Sequence, residues 1–88
     1  MRVLVVYKKE SDHAREVFDY LRDFKIRTGE EVEEIDPETR EGEGFCMTYG
    51  IVEYPTIAAI DDSGRLQQMW RGRPLPQISQ VAFYLQSI

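Results

Sequence analysis

A chain of 88 residues with 42% apolar and 31% charged side chains holds material for one hydrophobic core, so a single domain over 1–88 is expected. Its net charge of −5 argues against a general nucleic-acid or anionic-membrane binder, because both need a basic face to recruit a polyanion. The one cysteine, Cys46, excludes an intramolecular disulfide, and no apolar run is long enough to span a bilayer.

Met1-Arg2-Val3 enters a strand at once, without the charged, apolar and small-residue regions of a leader, so cytoplasmic placement is expected. Val3-Leu4-Val5-Val6-Tyr7 is a continuous β-branched run and predicts a central strand buried on both faces. Ser11 or Asp12 is the expected N-cap of the helix that follows. Ala14, Val17, Phe18, Leu21 and Phe24 recur there at three- and four-residue steps and predict one apolar face, with Gly29 just past the end. Val32 to Asp36 reads as a second strand stopped by Pro37, which completes a βαβ unit with parallel strands and a right-handed crossover.

The acidic, glycine-interrupted stretch from Glu38 to Gly44 reads as a solvated loop, and Phe45 to Tyr49 as one or two helical turns closed by Gly50. Thr56 to Ile60 predicts the third strand and Leu66 to Arg71 the fourth, joined through a hairpin at Asp61-Asp62-Ser63-Gly64. Pro76 suits the first turn of a last helix whose face is Ile78, Val81, Ala82 and Leu85. The order βαβ, short α, ββα predicts an α/β fold: a four-stranded mixed sheet with helices on both faces.

Residues 49 to 72 carry a resemblance. Tyr49-Gly50-Ile51, then Pro55-Thr56, an apolar strand, Gly64 in the turn and Gly72 closing the next strand resemble the thioredoxin family, and the whole order is similar to a minimal thioredoxin or glutaredoxin domain. The resemblance implies a cis peptide before Pro55, with the backbone of Tyr54 turned outward to pair with an extended peptide or with glutathione. It also implies a Cys-x-x-Cys pair at the start of the first long helix, and there this chain departs. Ser11 and Ala14 occupy those places, or Asp12 and Arg15 under a one-residue shift; Ala14 favours the first, because it begins the apolar stripe. Neither alignment supplies sulfur, so dithiol exchange, which needs an attacking and a resolving thiol, is excluded at this site.

Several residues can still carry function. Tyr54, Pro55 and Thr56 of the loop, Ser11 and Asp12 at the helix start, and Arg71 with Gly72 after the fourth strand form the expected ligand-binding set. Lys8, Lys9, Arg15, Arg71 and Arg73 belong to segments that converge in this fold, and a basic rim there would attract an acidic peptide. Cys46 reads as a buried structural thiol whose pKa Glu41 and Glu43 would raise. Ser11, Asp12 and His13 are neighbours in sequence but point in different directions on a helix, so no triad is expected and His13 reads as solvated. One histidine and one cysteine do not make a metal site, and no cofactor is expected.

The leading expectation is thus a redox-inactive binding module for a protein or extended peptide, not an enzyme. The alternative is an oxidoreductase acting as a monothiol through Cys46. A third is a structural subunit that self-associates through a sheet edge or through Phe83 and Tyr84, which lie off the apolar stripe of the last helix.

Overall fold

The computed structural model describes residues 1–85. Strand β1 (Arg2–Val6) leads to helix α1 (Ala14–Thr28), β2 (Glu33–Ile35), α2 (Arg40–Tyr49), β3 (Thr56–Ile60), β4 (Leu66–Arg71) and α3 (Ile78–Ala82), with a 3-10 turn at Phe83–Leu85. The sheet order is β2-β1-β3-β4. β1 runs parallel to β2 and antiparallel to β3, and β4 is antiparallel to β3, so Leu4 lies between Glu33 and Ala58.

Side chains alternate across a strand, and here the alternation divides the core in two. Val3, Val5, Tyr7, Ile57 and Ala59 face α1 and α3, meeting Ala14, Val17, Phe24 and Val81. Val6 faces the other way, against Cys46 of α2 and Ile51. Helices therefore cover both faces, which is why the central strands are apolar from Val3 to Val6 and from Ile57 to Ile60. Each fully buried aliphatic or aromatic side chain there contributes about 1.5–3 kcal/mol relative to exposure. No helix among the described residues is long and apolar enough to cross a membrane.

The helix ends follow local chemistry. Gly29 and Gly50 take left-handed φ values of 74° and 68° and donate their N–H groups to Lys25 and Cys46, closing α1 and α2. In the hairpin between β3 and β4, one carboxylate oxygen of Asp61 accepts the Ser63 hydroxyl and the N–H groups of Ser63 and Arg65, and these bonds, the hydroxyl's foremost, hold that carboxyl below its usual range.

Four sequence expectations are corrected. The first long helix starts at Ala14 with His13 as N-cap, and neither Ser11 nor Asp12 caps it; the Ser11 hydroxyl instead donates to the Lys8 carbonyl. Phe18 is 45% exposed and lies edge-on to Tyr7, so it sits at the margin of the apolar stripe rather than within it. The stretch read as a loop is helical from Arg40, because the Thr39 hydroxyl caps the N–H of Gly42 and Glu41 and Glu43 sit at the positive end of the helix dipole. The last helix begins at Ile78, after Pro76, with Gln77 and Gln80 exchanging side-chain bonds to the backbone as a capping box.

The hydroxyl of Tyr20, on α1 beside Phe24, is buried without a hydrogen-bond partner among the described residues, and burial pushes its pKa up to about 12. A buried donor without a partner costs roughly 1–3 kcal/mol. Replacing Tyr20 by Phe is therefore expected to raise stability by about 1 kcal/mol. The gain should widen at high pH: a phenol held neutral in the folded chain favours folding fully below its unfolded pKa near 10, and that contribution is lost as pH rises toward about 12. Urea melts at pH 7 and pH 10.5 check both statements. A Phe variant less stable than its parent at both would show that the hydroxyl has a partner in solution.

Candidate functional site

The candidate site lies where β1 ends, α1 begins and the chain turns into β3. Val6 pairs with Thr56 across the sheet, so the segment after β1 and the loop before β3 emerge side by side. Lys8 is tied there twice. Its backbone N–H donates to Nε2 of His13 at 3.3 Å, and its ammonium lies 5.4 Å from the centroid of the Tyr54 ring. A cation over a tyrosine face at that distance is worth roughly 0.5–1 kcal/mol at an exposed site.

His13 is 8% exposed, packed edge-on near Tyr7, so the expectation of a solvated imidazole is corrected. It is a structural acceptor that holds the turn between β1 and α1. No sequence signal pointed to this, because the bond is made to a backbone five residues upstream. Below it, the hydroxyl of Tyr7 donates to the Glu34 carboxylate, and burial together with that bond pushes the phenol well above its ordinary range.

The loop before β3 is pinned on every side but one. The peptide bonds before Pro55 and Pro74 are cis. The Thr56 hydroxyl donates to the Glu53 carbonyl at 2.7 Å, and the Pro55 carbonyl accepts the Gly72 N–H at 2.8 Å. Thr56 and Pro55 are themselves buried. The Tyr54 N–H and C=O, by contrast, make no hydrogen bond among the described residues, and its side chain is half-buried. That side chain packs against the small cluster of Val6, Cys46 and Ile51, bringing its hydroxyl to the Cys46 thiol. Lys8, Tyr54 and Cys46 thus form a stack that their sequence spacing did not reveal.

Cys46 is 7% exposed. Burial holds its thiol above the ordinary value, opposed in part by the neighbouring Tyr54 hydroxyl. Glu41 and Glu43, expected to raise it, play no part.

Of the expected ligand-binding residues, Ser11 and Thr56 already spend their hydroxyl protons within the chain. Asp12 and Arg71 are exposed. Gly72 has a φ of 72°, and a side chain there would meet a Glu53 carboxylate oxygen at 3.2 Å, which places an acid beside the site that the sequence reading did not include. The basic rim is smaller than the chain suggested: Arg15 lies 3.9 Å from Asp19 and Arg73 3.7 Å from Glu16, leaving Lys8, Lys9 and Arg71 without a carboxylate partner among the described residues. Both ion pairs are exposed and so are worth little. Ala14 is buried and Arg15 exposed, so only the Ser11 and Ala14 alignment has a buried second member. No group of three or more histidine, cysteine or carboxylate side chains among the described residues is placed to hold a metal ion.

The chain's structure is similar to that of thioredoxin 1 from the thermophilic eubacterium Thermosipho africanus TCF52B. The TM-score is 0.66 at 14% identity, over 97% of this chain and 90% of that one. The fold is thioredoxin-like, in its minimal four-stranded form, and within these 88 residues one cysteine stands where a Cys-x-x-Cys protein carries at least two. No protein-family model and no curated protein matches the chain.

Proposed function

We propose that this domain is a redox-inactive thioredoxin-like module that binds an extended peptide segment of a partner protein at the Tyr54 loop. The carrying observation is the backbone of Tyr54. Its N–H and C=O have no partner among the described residues, while the backbone and hydroxyl groups on either side of it are tied. An extended peptide pairs with both groups at once in β fashion, taking the place of solvent. Lys8 and Arg71 favour a carboxylate on the bound segment, and Glu53 limits how many it carries. The absence of a second thiol in the chain and the buried, proton-holding Cys46 support binding without disulfide exchange.

The test is a titration of the 15N-labelled protein with two probes: a pool of capped decapeptides bearing two or three acidic residues, and glutathione. The amide signals of Tyr54 and Thr56 are expected to move with the peptides, with unchanged affinity in the Cys46→Ser variant. Peptide titrations that leave both signals in place would remove the reading. A response to glutathione that disappears in Cys46→Ser would replace it with the monothiol alternative.

A further inference from the structure

β4 is the outer strand of the sheet, and its free edge is unusually prepared for a partner. The Gly72 N–H donates inward to Pro55, which fixes the phase of the ladder: Trp70 and Gly72 turn their backbone groups toward β3, while Met69 and Arg71 turn theirs outward. The outward N–H of Met69 donates to the side-chain carbonyl oxygen of Gln68 at 2.9 Å, a local substitute for a strand partner. Edge strands are commonly blunted by charges or proline. This edge carries cations of one sign only. From Arg65 to Arg73 there are three arginines and no carboxylate, on a chain whose net charge is −5.

The two faces of this edge differ. Beside Gln68 and Trp70, on the α3 side, lies a cavity of about 400 Å³ lined also by Phe83 and Tyr84. Trp70 and Tyr84 meet edge-on at 5.7 Å, and Phe83 is 65% exposed at the mouth. Arg71 and Met69 project to the opposite face, toward α2. An added strand would therefore present alternate side chains to an apolar cavity and to a basic surface.

We propose that the outer edge of β4 accepts an extended acidic segment of a partner protein as a fifth strand. The segment displaces the Gln68 side chain from the Met69 N–H, seats one large apolar side chain between Trp70 and Phe83, and places its carboxylates toward Arg71. Charge complementarity selects this occupant over a second copy of the chain: two antiparallel β4 strands centred on Met69 would set Arg65 against Arg73. The inference stands on the sheet edge: it shares Arg71 with the Tyr54 reading but makes no use of the Tyr54 backbone.

The probe is a capped heptapeptide alternating glutamate with valine, with phenylalanine at its centre, titrated into the 15N-labelled protein. The Met69 and Arg71 amides are expected to shift and to gain protection from exchange, independently of any shift at Tyr54. Gln68→Ala, which frees the Met69 N–H, should tighten binding about twofold or more. Phe83→Ala should weaken it at least about tenfold. Met69→Pro deletes an outward N–H without breaking a ladder bond and should abolish it; circular dichroism confirms that this variant folds. Three results would overturn the proposal: shifts at Tyr54 in place of Met69, parental affinity in both Phe83→Ala and Met69→Pro, or a peptide-independent doubling of mass, which would make the occupant a second copy.

Discussion

Replacing Gly42 by Ala is expected to destabilise the domain by about 3 kcal/mol or more, a fall of roughly 12–24 °C in melting temperature for a domain of this size. A Cβ built at Gly42 would lie 1.8 Å from the Asp36 carbonyl oxygen, inside any tolerable contact. The obstacle is backbone, so no side-chain rotation relieves it. Nor can that carbonyl withdraw cheaply, because it accepts both the N–H of Thr39 at 3.2 Å and its hydroxyl at 2.9 Å. Those bonds hold the turn that lets the Thr39 hydroxyl cap the Gly42 N–H and start α2. A larger side chain at 42 therefore forces apart the end of β2 and the start of α2 together. Gly44 supplies the control, one half-turn further on in the same helix with nothing within 4 Å of its Cβ position. Gly44→Ala should stabilise by roughly 0.5–1 kcal/mol, since alanine removes backbone freedom from the unfolded chain at no steric cost. Thermal melts of the two variants beside the parent settle it. An unchanged melting temperature for Gly42→Ala would mean that α2 does not pack on Asp36 as described.

That pair of glycines also shows where the sequence was legible and where it was not. Val3 to Tyr7 and Ile57 to Ile60 announce central strands because burial on both faces leaves almost no polar position to confuse the pattern. Gly29 and Gly50 marked helix ends, since a left-handed cap is a local demand that glycine meets alone. From Glu41 to Gly44 the local signal is equally consistent with a loop: two glycines lower helix propensity, and acidic residues suit both a solvated turn and a helix N-terminus. What decides for helix is the Thr39 cap on the Gly42 N–H, a turn held by the Asp36 carbonyl and closed enough that only glycine fits at 42. The site divided in the same way. The loop around Pro55 could be read because a turn into a strand has a local signature. The stack of Lys8, Tyr54 and Cys46 could not, since it joins three segments whose proximity only the closed sheet creates. His13 escapes the sequence for a related reason: its acceptor role belongs to the turn before α1, whose end lies one or two residues later than capping chemistry suggests.

In the native protein Cys46 is expected to react with a chromogenic thiol reagent at least about 100-fold more slowly than in denaturant, equivalent to an opening free energy of about 2.7 kcal/mol. Two separate physical effects point the same way. At 7% exposure the sulfur offers a reagent almost no surface, so labelling waits on local opening of the contact with Tyr54 and Ile51. The thiolate is the reacting species, and a free cysteine is about 3% thiolate at pH 7. Burial holds the Cys46 thiol above its ordinary value and lowers that fraction further, while the bond from Tyr54 offsets only part of the shift. The pH dependence separates the effects. A thiol with a raised pKa keeps gaining thiolate past pH 8.5, where an ordinary one begins to level off, so the native rate should still be climbing at pH 9.5. Tyr54→Phe tests the stack: without the phenol hydrogen bond the thiolate loses its one stabiliser, and the pH profile should move further alkaline with the fold retained. Fast native labelling that persists at pH 6 would reverse the assignment. It would describe an open, activated thiolate beneath the Tyr54 loop, able to attack a disulfide carried by a peptide held there, forming a mixed disulfide and releasing the other sulfur as thiolate. Slow labelling leaves the loop a surface for pairing, with Cys46 as the packing beneath it.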